Sequence, residues 1–189
     1  MIEIAFFGRG GQGAVTAVQI LAQAAFLEGY YAQAFPKFGI ERRGAPVSAY
    51  VRIDDQPIRI RSKLKDFDFA IVGDLMAVAP DVLFQEIKTA GGAIVNTAKG
   101  PEKLQPYASR VGRSEIRIYT IDATNISFRV YGDTSIPITS VAMLGAFCAA
   151  FKQIQLRSVL SSLEMFFTGS MVKKNMEAAR LAFEEIQGT

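Results

Sequence analysis

The first 28 residues place an apolar run, a glycine-rich hexapeptide and a helical pattern in immediate succession. Residues 2–7 predict a buried strand, because they form a short continuous apolar run that ends at a glycine. Residues 12–28 predict a helix, since apolar side chains recur there at helical spacing and Gly29 ends the pattern. A strand that turns through glycines directly into a helix is typical of the first unit of a parallel α/β sheet.

The rest of the chain continues this alternation. Further strands are predicted at 30–35, 68–74, 93–96 and 115–122. Helices are predicted at 75–89, with Pro80 marking the start, and at 123–131, 138–151, 156–167 and 170–187. The segments 47–53 and 57–61 flank a polar turn and predict an antiparallel hairpin. We therefore expect one α/β domain over residues 1–189: a Rossmann-like, mostly parallel sheet with helices on both faces, an antiparallel hairpin and a helical C-terminal cap.

The hexapeptide Gly8-Arg9-Gly10-Gly11-Gln12-Gly13 fits the G-x-G-x-x-G pattern between a strand and a helix. Glycines allow a tight turn and a close approach of the backbone to a ligand. The helix that follows offers free N–H groups and a partial positive charge to an anion, and Arg9 adds a full charge. The loop therefore predicts a site for a phosphate-bearing ligand. The alternative is that the glycines only permit close packing of the strand, the helix or another subunit.

A nicotinamide dinucleotide fits this loop poorly. Such sites place a carboxylate about 20 residues further on, at the end of the second strand, where it binds a ribose hydroxyl. Residues 33–37 (QAFPK) contain no carboxylate and end in the cation Lys37. NAD is therefore disfavoured, whereas NADP stays open.

The composition excludes several kinds of catalytic centre. The chain has no histidine, which removes Ser-His-Asp chemistry and most zinc sites. Its one cysteine, Cys148, cannot form an internal disulfide or hold an iron–sulfur cluster. Because Cys148 lies in the apolar helical run AMLGAFCAAF, we expect it in the core. Without a leader or an apolar run of 18 residues, we expect a cytoplasmic protein.

Charge is spread along most of the chain. The net charge is +3, with 21 basic and 18 acidic residues mostly interspersed, so we expect no nucleic-acid partner. The exception lies between Lys37 and Lys65, where basic residues accumulate: Arg42, Arg43, Arg52, Arg59, Arg61 and Lys63. Such a cluster suits ligand phosphates or an acidic partner, or forms a solvated face.

Polar residues follow several predicted strands, where ligands of parallel sheets bind. Thr97 is a candidate phosphate contact, and Asn96 precedes it; capping of a turn is the simpler role for Thr97. Asp74 and Asp122 also end strands, and we expect both to cap the helices that follow.

Three further observations belong together: residues 8–13 (GRGGQG), residues 38–46 (FGIERRGAP) and residues 121–124 (IDAT) with 142–145 (AMLG) downstream. With these motifs the chain resembles the gamma subunit of pyruvate:ferredoxin oxidoreductase and related 2-oxoacid:acceptor oxidoreductases. The resemblance covers nearly the whole chain, and its middle motif is long and specific.

This resemblance implies a complex that decarboxylates a 2-oxoacid on thiamine diphosphate, reduces ferredoxin through [4Fe-4S] clusters and forms acyl-coenzyme A. Thiamine diphosphate, Mg and the clusters are then expected on partner alpha, beta and delta subunits. The gamma subunit is associated with coenzyme A, whose phosphates require cationic contacts. Arg9, Arg42 and Arg43 are the candidate contacts, with Lys37 a weaker one, and the backbone of residues 10–13 suits the pyrophosphate. Pyruvate is the expected oxoacid.

Two alternatives remain open from the sequence. The Arg42-Arg43 pair suits a phosphate clamp, but paired charges at a subunit interface explain it as well. The chain is then a purely structural subunit of the same complex. The other alternative is an independent NAD(P)- or FAD-binding oxidoreductase.

Overall fold

A computed structural model describes residues 1–36, 44–62 and 64–188. Its strands are β1 (Ile2–Arg9), β2 (Tyr31–Pro36), β3 (Pro46–Asp54), β4 (Phe67–Val72), β5 (Ile87–Asn96), β6 (Arg117–Ile121) and β7 (Gln187–Gly188). Its α-helices are α1 (Ala14–Leu27), α2 (Pro80–Glu86), α3 (Gln105–Arg110), α4 (Ala123–Tyr131), α5 (Ser140–Phe151), α6 (Leu156–Phe166) and α7 (Ser170–Glu185). Short 3-10 turns lie at Leu75–Ala77 and Pro101–Lys103.

The described strands form one mixed sheet in the order β2-β3-β1-β4-β5-β6-β7. The four central strands, β1, β4, β5 and β6, run parallel. At one side β3 lies antiparallel to both β1 and β2, and at the other β7 lies antiparallel to β6. The α/β fold with a parallel centre and an added antiparallel hairpin is therefore confirmed.

Alternate residues of the central strands bury opposite faces of the sheet, as the pleat requires. Ile4 and Phe6 of β1 face a core shared with α1 and with the helices α4 to α7. Ala5 and Phe7 face a second core under α2 and α3. Helices on both faces are thus confirmed, and the predicted C-terminal cap is a helical layer on one face. Helices α5 and α7 pack closely there, since a Cβ on Gly145 would overlap the carbonyl group of Ala179.

The antiparallel hairpin consists of β2 and β3, so the predicted pairing of 47–53 with 57–61 is wrong. Residues 57–61 form no strand. The guanidinium of the buried Arg52 donates to the carbonyl oxygens of Ile60 at 3.3 Å and Ser62 at 2.7 Å. A side chain of β3, rather than a backbone ladder, thus holds this segment.

Two elements between β4 and β6 differ from the prediction, and a third was missed. Helix α2 starts at Pro80 as expected but ends at Glu86, because β5, predicted at 93–96, already begins at Ile87. The short helix α3 was not predicted. The four C-terminal helices match their predicted ranges to within two residues at each end.

The predicted core position of Cys148 is confirmed. Cys148 is 3% exposed, and burial raises the pKa of its thiol to about 12. In α7 the buried positions are Asn175 and three alanines, whereas Phe183 is exposed. None of the described helices is both long and apolar enough to cross a membrane.

The sheet changes direction of winding between β1 and β4. After β1 the chain crosses to α1 on one face, and after β4 it crosses to α2 on the other. In open α/β sheets such a switch point leaves a crevice at the carboxyl ends of the two strands, where ligands bind. The glycine loop is at this crevice.

Candidate functional site

The glycine loop follows β1 directly and is held by two backbone hydrogen bonds. The amide of Gly10 donates to the carbonyl of Ala45 at 2.8 Å, and the amide of Gly44 donates to the carbonyl of Gly10 at 3.0 Å. Gly11 and Gly13 have φ values of 97° and 83°, which side chains other than glycine rarely adopt. The loop is therefore fixed against residues 44 and 45, immediately before β3.

Arg9, Gln12 and Asp74 form a closed set of contacts across the crevice. The Nε of Arg9 donates to Oδ2 of Asp74 at 2.6 Å, and the amide nitrogen of Gln12 lies 3.3 Å from the same oxygen. The Gln12 Oε1 accepts from the backbone amide of Arg9 at 2.8 Å. Gln12 is 3% exposed, so its side-chain amide stabilises the loop from the buried side. Asp74 also accepts from the amide of Met76 at 2.8 Å, which confirms its predicted capping role.

Two helix N-termini meet beside this loop. Helix α1 begins after Gly13 and α5 begins after Thr139, and a Cβ on Gly13 would lie only 2.7 Å from Oγ of Ser140. Within these two described helices, no side chain caps the first turn and no acidic residue lies in it. Each helix start carries amides without an intrahelical partner and a partial positive charge. Their convergence makes this corner favourable for an anion.

Thr139 adds a buried polar group to the same corner. Its side chain is 0% exposed, and its Oγ1 has no hydrogen-bond partner among the described residues. This oxygen lies 3.4 Å from the position that a Cβ on Gly73 would take, at the end of β4. Since buried hydroxyls are nearly always hydrogen-bonded, an unpaired one at a crevice fits a ligand that completes it.

The polar residues after β5 and β6 are occupied within the protein. Thr97 accepts from the amide of Lys99 at 3.1 Å, and β4 separates its strand from the glycine loop. Asn96 donates to the carbonyl of Gly73 and to Oγ1 of Thr124, both at 2.9 Å. Asp122 accepts from the amide of Asn125 at 2.9 Å, so its predicted role as a cap is confirmed. The structure therefore does not bring Thr97 to the loop.

The predicted contacts Lys37, Arg42 and Arg43 lie outside the described residues. Of the basic cluster, Arg52 is buried and pairs with Glu3 at 3.0 Å. It supports the fold instead of binding a ligand. Within the described ranges, no three His, Cys, Asp or Glu side chains come together as a metal site would require.

The sheet order differs from that of a dinucleotide-binding fold. There the second strand lies beside the first and parallel to it, and its end supplies the ribose carboxylate. Here the antiparallel β3 takes that place, with Val47 opposite Gly8. The crevice therefore keeps the phosphate-binding half of the dinucleotide arrangement but not the ribose-binding half.

Sequence reasoning missed two features of the site. Asp74 was predicted as a cap, and its ion pair with Arg9, 65 positions away, had no signal in the sequence. Thr139 and Ser140 were not singled out, although a Thr-Ser pair before an apolar helix is a recognisable start signal.

The whole chain matches known proteins. Residues 3–185 match the family described as pyruvate ferredoxin/flavodoxin oxidoreductase. The chain is 45% identical over 185 residues to the pyruvate/ketoisovalerate oxidoreductases common subunit gamma of Thermococcus litoralis, covering 98% of this chain and 97% of that protein. It is 42% identical over 187 residues to pyruvate synthase subunit PorC of Methanothermobacter thermautotrophicus, covering 99% and 97%.

Solved structures agree with this match. Pyruvate oxidoreductase subunit PORC of Thermotoga maritima superposes with a TM-score of 0.83 at 30% identity, covering 100% of this chain and 98% of that one. The 2-oxoglutarate:ferredoxin oxidoreductase of Magnetococcus marinus, solved with 2-oxoglutarate, coenzyme A and succinyl-CoA bound, shares the fold with a TM-score of 0.74 at 16% identity. This chain covers 31% of that longer chain, which covers 97% of this one.

Proposed function

The chain belongs to the pyruvate ferredoxin/flavodoxin oxidoreductase family and is a gamma subunit of a 2-oxoacid:ferredoxin oxidoreductase, and from this premise we propose that it holds the phosphates of coenzyme A at the glycine loop. The observation that carries the proposal is the meeting of the α1 and α5 N-termini at Gly13 and Ser140. Their unpaired amides and dipoles suit a pyrophosphate. The unpartnered Oγ1 of Thr139 supplies a further hydroxyl at this corner.

The backbone bonds between residues 44–45 and Gly10 support a role for Arg42 and Arg43. In the sequence Arg43 immediately precedes Gly44, which itself contacts the glycine loop. Guanidinium groups bind phosphate oxygens in pairs. The two arginines and Arg9 would then neutralise the pyrophosphate and the 3′-phosphate of coenzyme A.

The chemistry of acyl transfer is proposed for partner subunits. One cysteine and no histidine leave this chain without the ligands of a cluster. We propose that alpha and beta subunits hold thiamine diphosphate with Mg, and that a delta subunit carries [4Fe-4S] clusters to ferredoxin. Pyruvate is the proposed oxoacid, in line with the names of the relatives. The gamma subunit would position the coenzyme A thiol for the acyl group formed elsewhere.

Coenzyme A affinity of the assembled complex tests this proposal. The Arg42→Ala, Arg43→Ala double variant is expected to keep its subunit stoichiometry and to bind coenzyme A about 100-fold more weakly, since two charge-assisted contacts are lost. The matched control removes two exposed arginines of the C-terminal helices, Arg157 and Arg180, and should leave affinity unchanged.

The purely structural alternative predicts a different outcome. If Arg42 and Arg43 form ion pairs at a subunit interface, the double variant loses partner subunits during size-exclusion chromatography. Mass spectrometry of the complex purified through a tag on this chain identifies the subunits that are retained or lost. Intact assembly with unchanged coenzyme A affinity would contradict the coenzyme A proposal.

A further inference from the structure

A second site lies on the α2 side of the sheet, away from the α1–α5 corner. A cavity of about 850 Å³ opens there beside β1, β3 and β2. This volume falls within the range of small-molecule sites. Its sides are formed by residues just before and within α2, and by residues next to the segment that Arg52 holds: Ala77, Val78, Val82, Glu86, Ile58, Arg61 and Leu64. Because Arg52 is buried and fixes that wall, the cavity is a built feature of the fold.

Flat aromatic groups form much of the cavity lining. The rings of Phe7 and Phe67 lie 5.8 Å apart, and those of Phe35 and Tyr50 lie 5.7 Å apart. Both pairs line the same space, Phe7 from β1 and Tyr50 from β3. Aromatic faces of this kind bind planar rings by stacking.

The polar groups in the cavity supply both donors and acceptors. Arg52 donates to Oε1 of Gln33 at 3.5 Å, which orients the amide so that its NH₂ group can serve another acceptor. Ser48 and Tyr50 each add a hydroxyl to the lining. Burial, and to a lesser extent the Glu86 carboxylate, raise the pKa of Tyr50, so its hydroxyl stays a donor at neutral pH.

The charge of Arg52 is not directed at a ligand. Its guanidinium bonds Glu3 at 3.0 Å and the carbonyls of Ile60 and Ser62. The lining also contains Arg61 and Glu86, whose charges are opposite in sign, and otherwise presents aromatic rings, an amide and hydroxyls, which suits a neutral ring better than a phosphate. We propose that this cavity binds a purine-sized nitrogen heterocycle, with adenine the best match. Adenine offers an amine donor and ring-nitrogen acceptors that an amide and hydroxyls can satisfy.

The cavity reaches the edge of the sheet that carries the glycine loop. Phe7 lines it and is followed by Gly8, and Ala77 lines it three residues after Asp74. If coenzyme A phosphates bind at the loop, one adenine nucleotide would place its ring in the cavity. That one ligand occupies both the cavity and the loop rests on the proposed function. That a ring binds in the cavity rests on the lining residues alone.

Calorimetric titration of the assembled complex with ADP and with inorganic pyrophosphate tests the site. Gln33→Leu and Tyr50→Phe are each expected to weaken ADP binding about fivefold to tenfold, the loss of one hydrogen bond. Pyrophosphate binding should be unchanged. The matched controls, Gln85→Leu and Tyr30→Phe, change exposed residues outside the lining and should leave both ligands unaffected.

A variant that fills the cavity tests the same site even if Gln33→Leu disturbs the fold. Ala77→Leu adds volume at the partly exposed end of the cavity and removes no polar group; it should weaken ADP binding more than tenfold without changing pyrophosphate binding or Tm. Unchanged ADP affinity in Gln33→Leu, Tyr50→Phe and Ala77→Leu overturns the adenine site. So does an equal loss of ADP and pyrophosphate binding.

The same titrations separate this inference from the proposed function. If Arg42→Ala with Arg43→Ala leaves pyrophosphate and ADP affinity unchanged while the cavity variants weaken ADP, the adenine site stands and the phosphate site fails. If the arginine variant weakens both ligands and the cavity variants weaken neither, the phosphate site stands and the adenine site fails.

Discussion

The Nε of Arg9 lies 2.6 Å from Oδ2 of Asp74, so an ion pair joins the end of β1 to the end of β4. These are the two strands between which the sheet changes its direction of winding. The pair holds Arg9 at the crevice, and it also leaves a carboxylate beside the proposed phosphate position. Asp74 should therefore limit affinity for an anionic ligand while it orients the loop.

Replacing Asp74 with Asn is expected to tighten coenzyme A binding about fivefold. The variant removes a like charge near the phosphates, worth about 1 kcal/mol at a partly exposed position. The amide oxygen of Asn can still accept from the backbone of Met76. Calorimetric titration of the assembled complex measures the change. Asp81→Asn, which alters an exposed carboxylate paired with Arg110 at 3.3 Å, should have no effect, and weaker binding in Asp74→Asn would refute the argument.

Replacing Gly13 with Ala is expected to destabilise the chain more than replacing Gly29. Both glycines have positive φ, 83° and 87°, which costs an Ala residue about 1–2 kcal/mol. Only at Gly13 would the added Cβ meet Oγ of Ser140, at 2.7 Å, which adds about 1 kcal/mol or more of overpacking. Urea unfolding of the two variants measures the difference. Equal losses of unfolding free energy in the two variants would contradict the close approach of Ser140 to Gly13.

Replacing Arg52 with Gln should release the segment around Ile60 and Ser62. Removing one partner of a buried ion pair costs about 3 kcal/mol or more, and Arg52 is 2% exposed while it bonds Glu3 and two carbonyl groups. Trypsin should then cleave faster after Arg59 and Arg61. The exposed Arg59→Gln serves as the control for stability. Unchanged stability and cleavage after Arg61 in Arg52→Gln would contradict this role.

Stability should fall with alkaline pH because of Cys148. Burial, and secondarily the Glu28 carboxylate, raise the pKa of this thiol from 9.0 to about 12. Between these values the unfolded chain loses the thiol proton while the folded chain keeps it, so folding is penalised as pH rises. The slope is at most about 1.4 kcal/mol per pH unit. Urea unfolding between pH 8 and 11, compared with Cys148→Ala, should show a steeper decline in the parent chain; parallel declines would contradict the shift.

Local patterns predicted the central strands and every α-helix except the short α3, because each buries a stripe or a face of its own. Residues 140–151 are apolar on every side, and they form a helix buried between the sheet and α7. The pairing of β3 was not predictable in this way. Its alternation fits any antiparallel partner. In the structure β3 pairs with β1 and β2, and its Arg52 bonds the carbonyls of Ile60 and Ser62.

The candidate site likewise combines local features that the sequence predicts with long-range contacts that it does not. The glycine loop and its place before α1 follow from the sequence, because Gly11 and Gly13 need positive φ. The contacts that give the loop its charge balance are long-range. Asp74 reaches Arg9, and Ser140 reaches Gly13, only because the sheet order brings β4 and α5 beside β1.

Amide hydrogen exchange of the assembled complex with and without coenzyme A tests the central claim most directly. Binding of the phosphates at the glycine loop should slow exchange in residues 10–16, where the amides at the start of α1 would gain ligand partners. Helix α7, away from the crevice, should exchange at the same rate in both states. Slower exchange in residues 10–16, with no change in α7, is the predicted result; coenzyme A saturation of the complex with no change in residues 10–16 would contradict the account.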